Sequence, residues 1–114
     1  MKKLFKIIVL LFKNYSPLRI YQIIECNNFF LNGQSLEFGA SNDLKKNFAS
    51  FTKGKSKFDY SNLNNLKNKK IIPLNLTKKL NVKSNKYNNV LIFNVLEHIN
   101  DHSIVFKEIK RILR

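Results

Sequence analysis

A chain of 114 residues and 13.4 kDa has room for one domain and no second core. Its 44% hydrophobic content, with ten Phe and four Tyr, is enough to pack an interior, and its single cysteine, Cys26, excludes an intramolecular disulfide and any Cys-based metal cluster, in keeping with a reducing, cytoplasmic setting. The net charge of +14 is weaker support for a polyanionic partner than its size suggests. Only three of the twenty-one basic residues are Arg, whereas specific readers of phosphates and bases lean on Arg with interleaved aromatics, so no specific nucleic-acid partner is expected.

The amino terminus, MKKLFKIIVLLFK, sets Lys before an apolar run from Ile7 to Phe12. The run is shorter than a signal-peptide core, no small-x-small cleavage site follows, and a spanning helix needs about 20 residues. The pattern predicts an amphipathic or core-docking helix over residues 3–13, with weak contact to a membrane surface and no transmembrane segment. Ser16-Pro17 restarts the pattern with an N-cap and a Pro at the first helical position, and Ile20, Ile23 and Ile24 give a helical stripe that Asn32-Gly33 is expected to end. Ser35 to Phe38 reads as a first strand turning at Gly39. Asn42 or Asp43 can then cap a helix whose Leu44, Phe48 and Phe51 share one face.

Lys57 to Tyr60 is expected as a second strand, Ser61 to Lys70 as a turn or helix anchored by Leu63 and Leu66, and Ile71 to Leu76 as a third strand. Pro73 cannot donate to a ladder, which assigns that strand to a sheet edge. Thr77 to Lys86 is a Lys-rich surface connection. Asn89 to Phe93 is the strongest strand, apolar on both faces as a central parallel strand should be. A closing helix, capped by Asp101 or Ser103, carries Val105, Ile109, Ile112 and Leu113 on one face with Lys107, Glu108, Lys110 and Arg111 largely off it. The domain plan is a pair of amino-terminal helices, residues 1–32, followed by an α/β unit, residues 33–114.

In an open α/β sheet ligands bind beyond the carboxyl ends of the strands, so polar residues there are site candidates. Gly39 allows a tight turn and close approach to a ligand, and Glu37-x-Gly39 with Ser41 marks the first such end. Asp59, 22 positions past Glu37, lies where Rossmann-like sites hold a ribose hydroxyl pair, a task suited to a carboxylate with two acceptor oxygens. Asn94, Glu97 and His98 follow the fourth strand. His98 and His102 with Glu97 match no metal-ligand spacing, so no metal is expected.

Val90 to Arg114 (VLIFNVLEHINDHSIVFKEIKRILR), above all VLEH and EIKRIL, closely resembles the fourth strand and following helix of class I S-adenosylmethionine-dependent methyltransferases of the small-molecule type 11/12 branch. The resemblance extends over residues 33–114. It implies an α/β fold, a Rossmann-like partial parallel sheet of strand order 3-2-1-4 with flanking helices, lacking the last three of the family's seven strands, since the Pro-Gly-Gly turn that follows in the family is not reached. It also leaves strand four as an edge open to self-association.

The resemblance further implies S-adenosyl-L-methionine as cofactor, held by Glu37, Gly39, Ser41, Asp59, Asn75, Leu76 and Asn94, with Glu97 and His98 as catalytic residues facing a small-molecule, sugar or lipid-precursor acceptor. The chain departs from the family pattern at three places. Ser41 replaces a Gly, Asn75 replaces an Asp that contacts adenine, and Tyr87-Asn88 stands where Phe-Asp is usual. Two alternatives follow from them and from the charge: a non-catalytic methyltransferase-like remnant, and a basic module for nucleic acid or a membrane surface.

Overall fold

The computed structural model describes residues 2–114. Two helices, α1 (Lys2–Phe12) and α2 (Pro17–Cys26), precede strands β1 (Gln34–Phe38), β2 (Lys57–Asn62), β3 (Ile71–Pro73) and β4 (Asn89–Ile92), and helix α3 (His102–Ile112) follows. All strand pairs are parallel, in the order β3-β2-β1-β4, so Pro73 does lie on an edge strand. This is the Rossmann-like partial sheet expected from the sequence.

Side chains alternate across β1, and that alternation divides the molecule. Leu36 and Phe38 face a cluster with Leu74, Leu76, Leu80, Tyr87 and the α3 residues Val105 and Ile112. On the α2 side, Ile20, Ile23 and Cys26 pack with Leu10 and Phe48, and Phe93 joins them from the end of β4. The amino-terminal helices therefore share an apolar cluster with the α/β unit. Glu37, between Leu36 and Phe38, is buried.

Helix ends follow local chemistry. The Ser16 hydroxyl accepts from Arg19 N–H at 3.2 Å, and Pro17 fills the first helical position. Asp101 caps α3 by accepting from Ser103 N–H at 2.9 Å. Helix α2 stops at Cys26 rather than at Asn32-Gly33, because Leu31 N–H bonds to the Lys53 carbonyl at 2.8 Å and draws this stretch into an extended connection.

The helix expected after Asp43 is replaced by two 3-10 turns, Leu44–Lys46 and Phe48–Phe51. Asp43 caps the first, but Asn47 is extended, and the N–H groups of Phe48 and Ala49 bond to the Glu37 carboxylate at 3.2 and 2.6 Å. Donors held by a buried side chain cannot propagate an α-helical ladder. Strand β2 runs two residues longer than expected, to Asn62, and β3 ends at Pro73, with the bond from Leu74 N–H to the Asn62 carbonyl at 3.0 Å as the last rung of the parallel ladder.

Glu108 corrects another expectation. It is 5% exposed and fastens the Lys-rich connection, accepting Leu80 N–H at 2.7 Å. Arg111 donates to the carbonyls of Leu80 and Val82 at 2.9 and 2.7 Å. Beyond α3, Leu113 makes a single parallel bridge with Tyr87, just before β4 at the outer end of the sheet.

Candidate functional site

Strands β1 and β4 release the chain side by side, at Phe38 and Ile92. Gly39 turns there with φ +75°, and a Cβ at this position would lie 2.7 Å from Val95 Cγ2. Backbone conformation and packing both require a glycine. The turn is braced by β2: Ala40 N–H donates to the Ser61 carbonyl at 2.9 Å, and the Asn62 amide donates to the Ala40 carbonyl at 2.8 Å.

Beside this turn opens a cavity of about 320 Å³. Phe38, Leu63, Leu74, Leu76, Val95 and Ile99 form its apolar walls, and Asn62, Asn75, Thr77, Asn94 and His98 supply polar groups. Of the residues chosen from sequence, Gly39, Asn75, Leu76, Asn94 and His98 meet there. The Asn75 side-chain oxygen is occupied by the N–H and hydroxyl of Thr77, at 2.9 and 2.6 Å, so only its NH2 is left as a bonding group of the side chain. Asn94 has φ +59° and exchanges two amide hydrogen bonds with Gln22 of α2, at 2.9 and 3.0 Å. That pair orients the turn leading from β4 into the short 3-10 segment Leu96–His98. His102 Nε2 lies 2.8 Å from the Leu96 carbonyl and fixes the start of the segment.

The remaining candidates lie off the cavity wall. Glu37 points to the α2 side; burial pushes its carboxyl above the usual range, against the opposing pull of Ala49 and Phe48 N–H and of Arg19. Ser41 is tied to Asn47, its N–H donating to the Asn47 side-chain oxygen at 2.8 Å. Asp59 sits three residues before the end of β2, opposite Leu36, and accepts from the Tyr87 hydroxyl at 2.7 Å with Lys86 at 3.7 Å. Glu97 is exposed at the rim, 3.9 Å from His98 Nε2. Among the described residues, no Asp or Glu lines the cavity, and no three of His, Cys, Asp and Glu gather to hold a metal ion.

Sequence reading missed Asn62, Thr77 and Ile99. Asn62 is the residue at the carboxyl end of β2, the position assigned to Asp59 when the strand was ended at Tyr60. Thr77 was readable as the partner of an Asx turn, since Asn75 precedes it by two residues.

A parallel 3-2-1-4 sheet with a mostly apolar cavity at its carboxyl ends defines a Rossmann-like ligand-binding unit. The family model described as Methyltransferase domain, type 11, matches residues 41–114, and the chain belongs to this family of class I S-adenosylmethionine-dependent methyltransferases. Its fold is similar to that of a crystal structure from Methanococcus maripaludis assigned as an S-adenosyl-L-methionine-dependent methyltransferase, with a TM-score of 0.56 and 17% identity over 82% of this chain. The chain spans about half, 51%, of that structure. No curated protein matches the chain.

The family implies S-adenosyl-L-methionine, and the cavity suits it in kind. Its volume is at the lower end of the roughly 300–1,000 Å³ of small-molecule sites. Flat apolar walls from Leu74 and Leu76 suit a base, and the Asn75 amide can meet its edge. The chain leaving Gly39 forms 3-10 turns instead of a long helix, so there is no helix terminus of the kind that binds phosphate. A ligand without phosphates does not require one.

Proposed function

We propose that this chain binds S-adenosyl-L-methionine and contributes to methyl transfer onto a small-molecule, sugar or lipid-precursor acceptor. The supporting observation is the cavity at the carboxyl ends of β1 and β4, bounded by the Gly39 turn and by Asn75. When bound, S-adenosyl-L-methionine supplies an electrophilic methyl group on a sulfonium sulfur. The chain's own residues position and shield. Gly39 lets the ligand approach the backbone, Asn75 donates through its NH2, and Leu74, Leu76, Val95 and Ile99 exclude water.

Within this reading, His98 at the rim accepts a proton from the acceptor's nucleophilic atom where the acceptor has one to lose, since histidine is the side chain most often used as general base. Glu97 lies beside it, 3.9 Å from His98 Nε2. Asn94 holds both residues at the mouth through its left-handed turn. Glu37, Ser41 and Asp59 stand behind the site, bonded to Ala49, Asn47 and Tyr87.

Titration calorimetry of the full chain with S-adenosylhomocysteine tests the reading. Saturable binding that weakens several-fold in Asn75→Ala is expected, and no heat from the folded wild type removes the proposal. A second reading, a methyltransferase-like domain without transfer activity, is favoured by the internal hydrogen bonds that occupy Asn62, Asn94 and Ser41. Transfer of a labelled methyl group by the chain to any acceptor would dismiss it.

A further inference from the structure

Helix α1 packs with only part of its circumference. Leu10 is buried and Ile7 half-buried against α2, whereas Leu4, Phe5, Ile8, Leu11 and Phe12 are 57, 70, 42, 50 and 85% exposed. Positions 4, 5, 8, 11 and 12 form one continuous stripe on a helix of 3.6 residues per turn. Five adjacent large apolar side chains facing water are a patch that a soluble surface does not ordinarily keep without a use. The charges of the same segment are of one sign. Lys2, Lys3 and Lys6 are on α1, Lys13 follows it, and α1 has no acidic residue. With Lys53, the first three line an open depression of about 480 Å³ next to Glu25.

We propose that the outer face of α1 docks onto an anionic lipid surface, its apolar stripe entering the acyl boundary and the net positive charge of the chain, to which the lysines of this segment contribute, drawing it to the headgroups. An 11-residue helix is about 16 Å long, so it lies in the interface and does not cross it. Among the described residues no helix is long and apolar enough to span a membrane. A second copy of the chain fits this face less well. Pairing two α1 stripes would bring together molecules that each carry +14, a repulsion that an anionic bilayer turns into attraction.

The test is cosedimentation of the full chain with vesicles of phosphatidylcholine and phosphatidylglycerol at a 3:1 ratio, compared with phosphatidylcholine alone. Binding is expected to the anionic vesicles, to fall with added salt, and to drop at least about tenfold in the double variant Phe5→Ser, Phe12→Ser. These two side chains are exposed, so the variant should melt as the wild type does. The triple variant Lys2→Gln, Lys3→Gln, Lys6→Gln should also lose about tenfold or more at low salt. No binding to anionic vesicles overturns the proposal. So does binding that the Phe substitutions leave unchanged, which marks a nonspecific cation. A vesicle-free dimer in sedimentation velocity that the Phe substitutions abolish assigns the face to a second copy and overturns it equally.

Discussion

Glu108 and Arg111 stand three residues apart on α3 and close a two-point ion pair, with Arg111 Nη2 at 2.8 Å from Glu108 Oε1 and Arg111 Nε at 3.0 Å from Oε2. The pair does more than join neighbouring turns. Its spare bonding capacity goes to Leu80 and Val82, so a charged couple holds the connection that carries Leu80 into the core. Planar two-point pairing is the geometry that distinguishes Arg from Lys, and here it decides which residue can do the work.

A sensitivity to acid follows. Hydrogen bonds from Arg111, then from Leu80 N–H, hold the Glu108 carboxyl down to about 2, against 4.5 for a free carboxyl. A carboxylate whose folded pKa is depressed adds stability in full above its unfolded value and loses it as pH falls towards its folded value. The melting temperature should therefore decline between pH about 4.5 and about 2. In Glu108→Gln that component should vanish, and Tm at neutral pH should fall. Differential scanning calorimetry across this range checks both.

A second prediction concerns Gly39 and Val95. Alanine at 39 meets a left-handed backbone and a methyl group 2.7 Å from its Cβ. Gly39→Ala should cost about 2 kcal/mol in urea denaturation. Adding Val95→Ala removes the close contact but leaves φ at +75°, so the double variant, measured against Val95→Ala alone because Val95 packs on the core, should recover the steric part and retain a deficit of roughly 1 kcal/mol. Full recovery by the double variant would show that the conformational part is absent.

Cys26 gives a third. It is fully buried, and burial, aided by the nearby Glu37 charge, pushes its thiol up to about 11. The thiolate is the reactive form, so almost none is present at neutral pH. A disulfide-exchange reagent should label Cys26 only through opening of the α2 packing, at a rate that rises with denaturant and far below that of the unfolded chain. Rapid labelling of the native protein would contradict the burial.

The parts of the fold that sequence disclosed are those in which apolar spacing and a local cap agree. Helix α2 has Ser16-Pro17, α3 has Asp101 with Val105 and Ile112, and β4 is a short apolar run. The region after β1 was not legible, since Leu44, Phe48 and Phe51 have helical spacing whether or not a helix forms. The outcome depends on Glu37, seven residues earlier, whose carboxylate claims two N–H groups. For the site, strand ends decide. The apolar pattern ends β2 at Tyr60, two residues early, which puts Asp59 next to the strand end and hides Asn62. Gly39 and His98 line the cavity from places beyond the ends of β1 and β4, which no such shift affects, and Asn75 lines it although β3 ends two residues before it.

Asp59 and Tyr87 provide the test that separates those two placements. The Tyr87 side chain is almost fully buried, and its hydroxyl ends on the Asp59 carboxylate at 2.7 Å. Burial and this bond push the phenol well above its ordinary range, so it stays a donor at neutral pH. Tyr87→Phe removes one hydrogen bond to a charged acceptor and should cost about 1.5 kcal/mol, reduced to the extent that the half-exposed Asp59 regains water. Asp59→Asn should be milder, because the amide oxygen still accepts from the phenol. Neither change touches a cavity wall. S-adenosylhomocysteine affinity, measured by calorimetry on the folded variants, should therefore stay within about twofold of wild type, whereas Asn62→Ala, which frees the Ala40 carbonyl beside Gly39, should weaken it by more. A large loss of affinity in Asp59→Asn alone would return the ribose-holding role to Asp59 and require β2 to end earlier when ligand is bound.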